Sequence, residues 1–161
     1  MSIKAGEKMP TGTFGVMTES GPGAMSTNEL FQGKKVVLVS VPGAFTPTCS
    51  MNHLPGFVDQ AESLRAKGVD TIACMAVNDV FVMDAWGKDR GVGDDVVMLA
   101  DGNGEYARAL GLELDASGFG MGKRGQRFAI VVDDGVATHV AVEAPGKFEV
   151  SKAEAILEAL G

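Results

Sequence analysis

Continuous apolar runs alternate along this chain with segments whose apolar positions recur every three or four residues. The stretch "KVVLVSV" (35–41) is unbroken and rich in β-branched residues, the pattern of a strand buried on both faces. "VDTIACMAV" (69–77) and "DVVMLA" (95–100) read the same way. Between the first two, "FVDQAESLRAKG" puts Phe57, Val58, Ala61 and Leu64 on one helical face and predicts a stop at Gly68. Asn78 and Asp79 are available to cap a second helix, "VFVMDAWGKD", and "NGEYARALGL" (103–112) predicts a third. "RFAIVVDDGVATHVAVE" predicts a β-hairpin turning at Asp134-Gly135. The last segment, "SKAEAILEAL", is helical, with Ser151 and Glu154 at capping-box spacing. Near the N-terminus, "TGTFGVM" predicts a short strand and "TESGPGAMS" (18–26) a loop. Ser26 and Glu29 form a second capping-box pattern, ahead of a short helical turn.

The resulting order, after an N-terminal extension, is β-α-β-α-β-α-β-β-α. Strands alternating with helices imply a parallel core, and the late hairpin adds antiparallel strands. This is the pattern of a thioredoxin-like α/β three-layer sandwich with a central mixed β-sheet, expected to occupy the whole chain, 1–161, as a single domain. The formal charge of −7 argues against nucleic acid or an anionic membrane as partner, since both select clustered Lys and Arg. "GKRGQR" is the one basic cluster, and it reads as a solvated loop. No run approaches the ~18 apolar residues of a membrane span, and the N-terminus has no apolar signal core, so a cytoplasmic protein is expected. Two cysteines and two isolated histidines make neither a disulfide framework nor a metal site, and no metal or other cofactor is expected.

The candidate chemistry sits at one junction. In "VVLVSVPGAFTPTCSMNHLPGF" (36–57) an apolar strand gives way to two prolines, two threonines and Cys49, and then a helix begins. Chemistry in open α/β sheets gathers beyond the carboxyl ends of the strands. A cysteine in the first turn of the following helix meets free backbone N–H groups and the positive end of the helix dipole, both of which favour a thiolate. Pro42 and Pro47 stiffen the loop, and Thr46 can bring its hydroxyl over the same pocket. Cys74, inside "TIACMAV", has instead the surroundings of a core cysteine.

The loop "PGAFTPTCS" resembles the active-site loop of the peroxiredoxins, whose pattern of Pro, Thr and Cys falls here on Pro42, Thr46 and Cys49. The continuations "HLPGF", "VNDVFVMDAWG" and "RFAIVVDDG" resemble the type II branch found in plants and bacteria. The resemblance implies a thiol-dependent peroxidase acting on hydrogen peroxide and alkyl hydroperoxides. Cys49 would attack a peroxide oxygen and become a sulfenic acid, which glutaredoxin with glutathione, or thioredoxin, would reduce. It also implies that Thr46, the backbone N–H groups of Thr48 and Cys49, and Arg127 hold the peroxide, and that the protein is a homodimer with contacts near the loop. Arg127 has a bottom-up reading too, since a charged residue opening a core strand needs a reason. His53, one helical turn after Cys49, is given a supporting role, and His139 a structural one.

In plant type II relatives the second cysteine, here Cys74, is proposed to resolve the sulfenic acid. Its strand position argues otherwise: three residues before the strand end it lies ~10 Å below the tip, whereas a disulfide needs Cα atoms within roughly 7 Å. Other classes fit less well. A dithiol oxidoreductase needs a second cysteine in C-x-x-C, and Asn52 stands there. A cysteine hydrolase needs a His oriented by Asp or Asn. A non-catalytic thiol sensor would differ in not turning over peroxide. Phe45, Phe81 and Trp86 look like exposed apolar residues, although core packing would explain each of them singly.

Overall fold

A computed structural model describes residues 2–161. A seven-stranded sheet forms the middle layer, in the order β2 (Gly21–Ser26), β1 (Thr13–Thr18), β5 (Val97–Ala100), β4 (Thr71–Ala76), β3 (Lys35–Ser40), β8 (Phe128–Asp133) and β9 (Val136–Val142). Its centre is β3 (Lys35–Ser40), β4 (Thr71–Ala76) and β5 (Val97–Ala100), paired in parallel. The hairpin β8 (Phe128–Asp133) and β9 (Val136–Val142) adds antiparallel to β3, turning at Asp134 and Gly135 as expected, both with positive φ. Successive side chains of a strand face opposite sides, and the apolar runs show the result. Val37, Val39, Cys74 and Ala76 enter one core, and Val36, Leu38, Ala73 and Met75 the other. The first core is closed by α2 (Leu54–Asp59), α3 (Ala61–Ala66), α4 (Val80–Asp89) and α6 (Ala153–Leu160), through residues such as Leu54, Leu64, Trp86 and Ile156. The second lies under α1 (Thr27–Phe31) and α5 (Glu105–Ala109), through Leu30, Phe31, Tyr106 and Ala107. This is the three-layer sandwich with a mixed central sheet.

Four local expectations change. The 18–26 segment is not a loop: after a tight turn, β2 (Gly21–Ser26) pairs antiparallel with β1 (Thr13–Thr18) along its whole length. Its Gly and Pro content suits an edge strand, where one side of the backbone needs no partner. The basic segment is not a solvated loop either, since β7 (Lys123–Gly125) pairs with β6 (Glu113–Asp115) in a separate two-stranded ribbon. The helix around Phe57 starts earlier, with helical backbone from Pro47, and it breaks at Gln60 between α2 and α3. The Ser26–Glu29 capping box forms, but the Ser151–Glu154 one does not: α6 follows an uncapped Lys152, and the Ser151 hydroxyl is bonded elsewhere. Among the described residues, no helix is long and apolar enough to cross a membrane.

Candidate active site

β3 ends at Ser40, and the next backbone group, Val41 N–H, still bonds to Met75 O at the neighbouring strand tip. The chain then turns across the carboxyl end of the sheet. Gly43 sits so close to its neighbours that a Cβ there would lie 3.2 Å from both Met121 Cε and Thr46 Cγ2, so the tight passage suits a residue without a side chain. Thr46 Oγ1 donates to Gly43 O at 2.7 Å and closes the turn, while Phe45 takes a left-handed backbone conformation, φ 64°. Asn78, at the end of the adjacent strand–helix junction, accepts from Ala44 N–H at 3.0 Å. Asp79 alone is left to cap α4, accepting from Val82 N–H.

Helical backbone resumes at Pro47, whose fixed φ suits the first position of a helix. Cys49–His53 then form a π-helical turn, with Leu54 N–H bonded to Cys49 O. Single π turns of this sort concentrate at functional sites. Cys49 and His53 both face inward and are fully buried. A residue of α4 and the one that caps its C-terminus hold the turn: Trp86 Nε1 donates to Ser50 Oγ at 2.9 Å, and Arg90 Nη1 donates to Ser50 O at 3.1 Å.

Arg127 reaches the site because of sheet register. Phe128, the first residue of β8, pairs with Ser40, the last of β3, so the residue before β8 lies at the same end of the sheet as the residues after β3. Arg127 precedes the strand rather than opening it, and is half-buried. Its Nη2 donates to Cys49 Sγ at 3.1 Å and its Nη1 to His53 Nδ1 at 3.0 Å. The guanidinium carbon lies 5.9 Å from the centre of the Phe148 ring, within cation–π range.

The other ring nitrogen of His53, Nε2, lies 3.0 Å from Ser151 O. A guanidinium only donates and a carbonyl only accepts, so the two contacts together require a neutral ring protonated at Nε2. The electrostatics agree: burial first, and the Arg127 charge second, lower His53 to a pKa of about 4.

Cys74 lies opposite Val39 in the β3/β4 register and shares a core with Cys49. Both sulfurs are free thiols. Burial, and then the neighbouring Cys49, push the Cys74 thiol well above its ordinary pKa.

A family model described as Redoxin matches residues 4–157 of the chain. Peroxiredoxin-2B of Arabidopsis thaliana is 50% identical over 159 residues, covering 98% of both chains. The chain belongs to the peroxiredoxin family.

Reduced Prx3 from Vibrio vulnificus, solved in complex with hydrogen peroxide, superposes on it with a TM-score of 0.95 at 52% identity, covering 99% of each chain. A chloroplastic relative, Peroxiredoxin-2E of Arabidopsis thaliana, is 48% identical over 99% of this chain and 70% of its own length. The protein is therefore a thiol-dependent peroxidase with a thioredoxin-type fold, and its type II resemblance is matched by named type II relatives.

In this peroxiredoxin the loop residues Pro42, Thr46, Thr48 and Cys49 lie together at the sheet end, with Arg127 against the sulfur and His53 against the guanidinium. Trp86 is wholly buried, whereas Phe45 and Phe81 are more than half exposed. Sequence reasoning missed Ser50, Trp86 and Arg90 as anchors of the turn, and Asn78 as an anchor of the loop. It also missed Glu143 and Ser151. Glu143 left a signal: a carboxylate ending the alternating apolar strand "VATHVAVE", where a buried charge needs partners. Ser151 was visible as a cap and was assigned the wrong bond.

Proposed function

We propose that Cys49 is the sulfur that attacks the peroxide, within a single peroxiredoxin domain spanning 1–161. A thiolate lone pair attacks the nearer oxygen, the S–O bond forms and the O–O bond breaks. The departing oxygen takes up a proton and leaves as water or alcohol, and Cys49 becomes a sulfenic acid. The carrying observation is the 3.1 Å hydrogen bond from Arg127 Nη2 to Cys49 Sγ, which sets a fixed positive charge against the reacting sulfur. Charge develops on both oxygens as their bond stretches, and donors already in place stabilise it without reorganisation. Arg127 and the first-turn N–H groups of Thr48 and Cys49 supply them. Thr46 Oγ1, whose proton goes to Gly43 O, keeps lone pairs to accept from the peroxide hydroxyl. Pro42 stiffens the entry to the loop.

Hydrogen peroxide is the first substrate to test, since the Vibrio vulnificus relative was solved with it. Full burial of Cys49 favours a small peroxide over a bulky thiol in the folded site. Reduction by glutathione with glutaredoxin, or by thioredoxin, then requires the Cys49 turn to move outward. Cys74 is the one other cysteine in the sequence, and its protonation disfavours it as an internal resolving thiol. Exposed Phe45 and Phe81 support a homodimer through this face, and two free cysteines support a reducing compartment such as the cytoplasm. The deciding experiment is Cys49→Ser in a steady-state peroxidase assay with each reductant in turn. Loss of turnover in a folded variant is expected, and retained turnover refutes the assignment.

A further inference from the structure

Beyond β9 the chain runs through residues 144–152 without regular structure before α6 begins. One atom fastens it. Glu143 Oε2 accepts from the backbone N–H groups of Glu149, Val150 and Ser151 at 2.8, 2.9 and 2.8 Å, and from Ser151 Oγ at 2.6 Å. Glu143 N–H in turn donates to Arg127 O at 3.0 Å, extending the β8/β9 ladder. The same residue therefore holds the Arg127 main chain with its backbone and folds the segment back with its side chain. The fold-back delivers Ser151 O to His53 Nε2, and Phe148 to the edge of the His53 ring at a centroid distance of 5.1 Å.

The geometry points to residues 144–151 being a strap, buckled by Glu143, that holds His53 as the acceptor orienting Arg127 against the Cys49 sulfur. Glu143, Ser151 and His53 are then positioning residues: none touches the reacting atoms, and each acts through the next. The inference rests on the proposed role of Cys49 and adds to it a specific source for the Arg127 orientation. An arginine facing only a sulfur has several rotamers of similar energy, whereas a second fixed acceptor selects one. That acceptor works only while the ring is neutral. The charged groups facing it are Arg127 and Glu143, with Cys49 beyond the guanidinium, while Phe57 and Phe148 make its apolar walls. Burial and Arg127 keep the ring neutral, and the Glu143 charge by itself opposes them.

That opposition makes the test sharp. Removing the Glu143 charge with the strap still closed would make His53 harder to protonate. Releasing the strap admits water and returns the ring towards its ordinary pKa of about 6.5, so that at pH 5.5 only about one ring in eleven remains an acceptor. Peroxide reduction by Glu143→Ala is measured against wild type from pH 8 to pH 5.5, the ratio cancelling titration common to both proteins. The ratio is expected to fall about tenfold on acidification. In the Glu143→Ala, His53→Gln double variant the fall should vanish, because an amide can accept from Arg127 and donate to Ser151 O without titrating. A ratio flat with pH overturns the strap. If Glu143→Ala does not fold, nitrogen NMR of the wild-type imidazole at pH 5.5 decides: a neutral Nε2–H ring is expected, and an imidazolium or an Nδ1–H ring overturns the inference. Wild-type turnover with a flat ratio refutes the strap alone, whereas turnover by Cys49→Ser refutes the underlying role.

Discussion

Arg127 and Cys49 are 78 positions apart, and Arg127 Nη2 donates to Cys49 Sγ across 3.1 Å. Two facts of the sheet bring them together. The strand β3 delivers Cys49 just past its carboxyl end, and antiparallel pairing starts β8 beside that same end. The contact is thus a consequence of strand register, and the buried His53 accepts a hydrogen bond from the guanidinium's other side.

Arg127→Ala should therefore slow peroxide reduction by ~10²–10³, the usual loss for one preorganised donor to developing charge. Stopped-flow kinetics of the reduced protein with hydrogen peroxide measures this directly. Arg127→Lys should recover only part of the rate, since an ammonium cannot serve Sγ and Nδ1 with one rigid fork. Unchanged rates in both would assign the role to another cation, with Arg124 first in line.

Cys74→Ser should leave turnover with glutaredoxin and glutathione near normal. The Cys74 thiol is fully buried and held protonated, and a thiol rather than a thiolate is a poor attacking group. Mass spectrometry of the peroxide-treated wild type should find no Cys49–Cys74 disulfide. A disulfide there, together with collapse of activity in the serine variant, would restore Cys74 as the resolving thiol.

Stability should decline in acid in two stages. The folded value of His53, about 4, lies below its ordinary 6.5, so the unfolded chain takes up the proton first. That contribution is intact above pH 6.5 and is lost as the pH falls towards 4, by at most ~3 kcal/mol. Burial pushes the Glu143 carboxyl up, but the hydrogen bonds from Ser151, Glu149 and Val150 outweigh it and leave the group below its ordinary range. Its contribution is present above the unfolded carboxylate value and disappears only at still lower pH. Denaturant melts at pH 7, 5 and 4 should show the first stage in wild type and not in His53→Gln.

Asn78→Ala should free Ala44 N–H and loosen the loop while leaving α4 intact, because Asp79 caps that helix. One lost hydrogen bond of this kind costs ~1 kcal/mol. Faster hydrogen exchange at Ala44, with unchanged exchange at Val82 and slower peroxide reduction, is the expected signature. Equal loosening at both sites would mean that Asn78 serves the helix cap instead.

The strands β1, β3, β4, β5, β8 and β9, the helices flanking them, the Asp134-Gly135 turn and the Pro42–Thr46–Cys49 loop were legible in the sequence, whereas β2 and the β6/β7 ribbon were not. Each legible element rests on local periodicity or on the stereochemistry of a few adjacent residues: β-branched runs, three-to-four spacing, positive φ at a turn, prolines that stiffen a loop. Local pattern failed where two local outcomes were near in energy. The Gly- and Pro-bearing 21–26 segment became a strand only because β1 offered a partner edge. Ser151 left its capping role because a buried carboxylate accepted from it instead. Arg127 was named from the sequence, but how it is held against the sulfur was decided by tertiary structure alone. Arg127, His53, Ser151 and Glu143 meet through strand register, a π turn and a fold-back of the chain. Their spacings of 74 and 98 positions carry no periodicity that sequence could display. A hydrogen bond over such a separation exists only after the loops between its partners have closed, and packing of the whole sheet drives that closure.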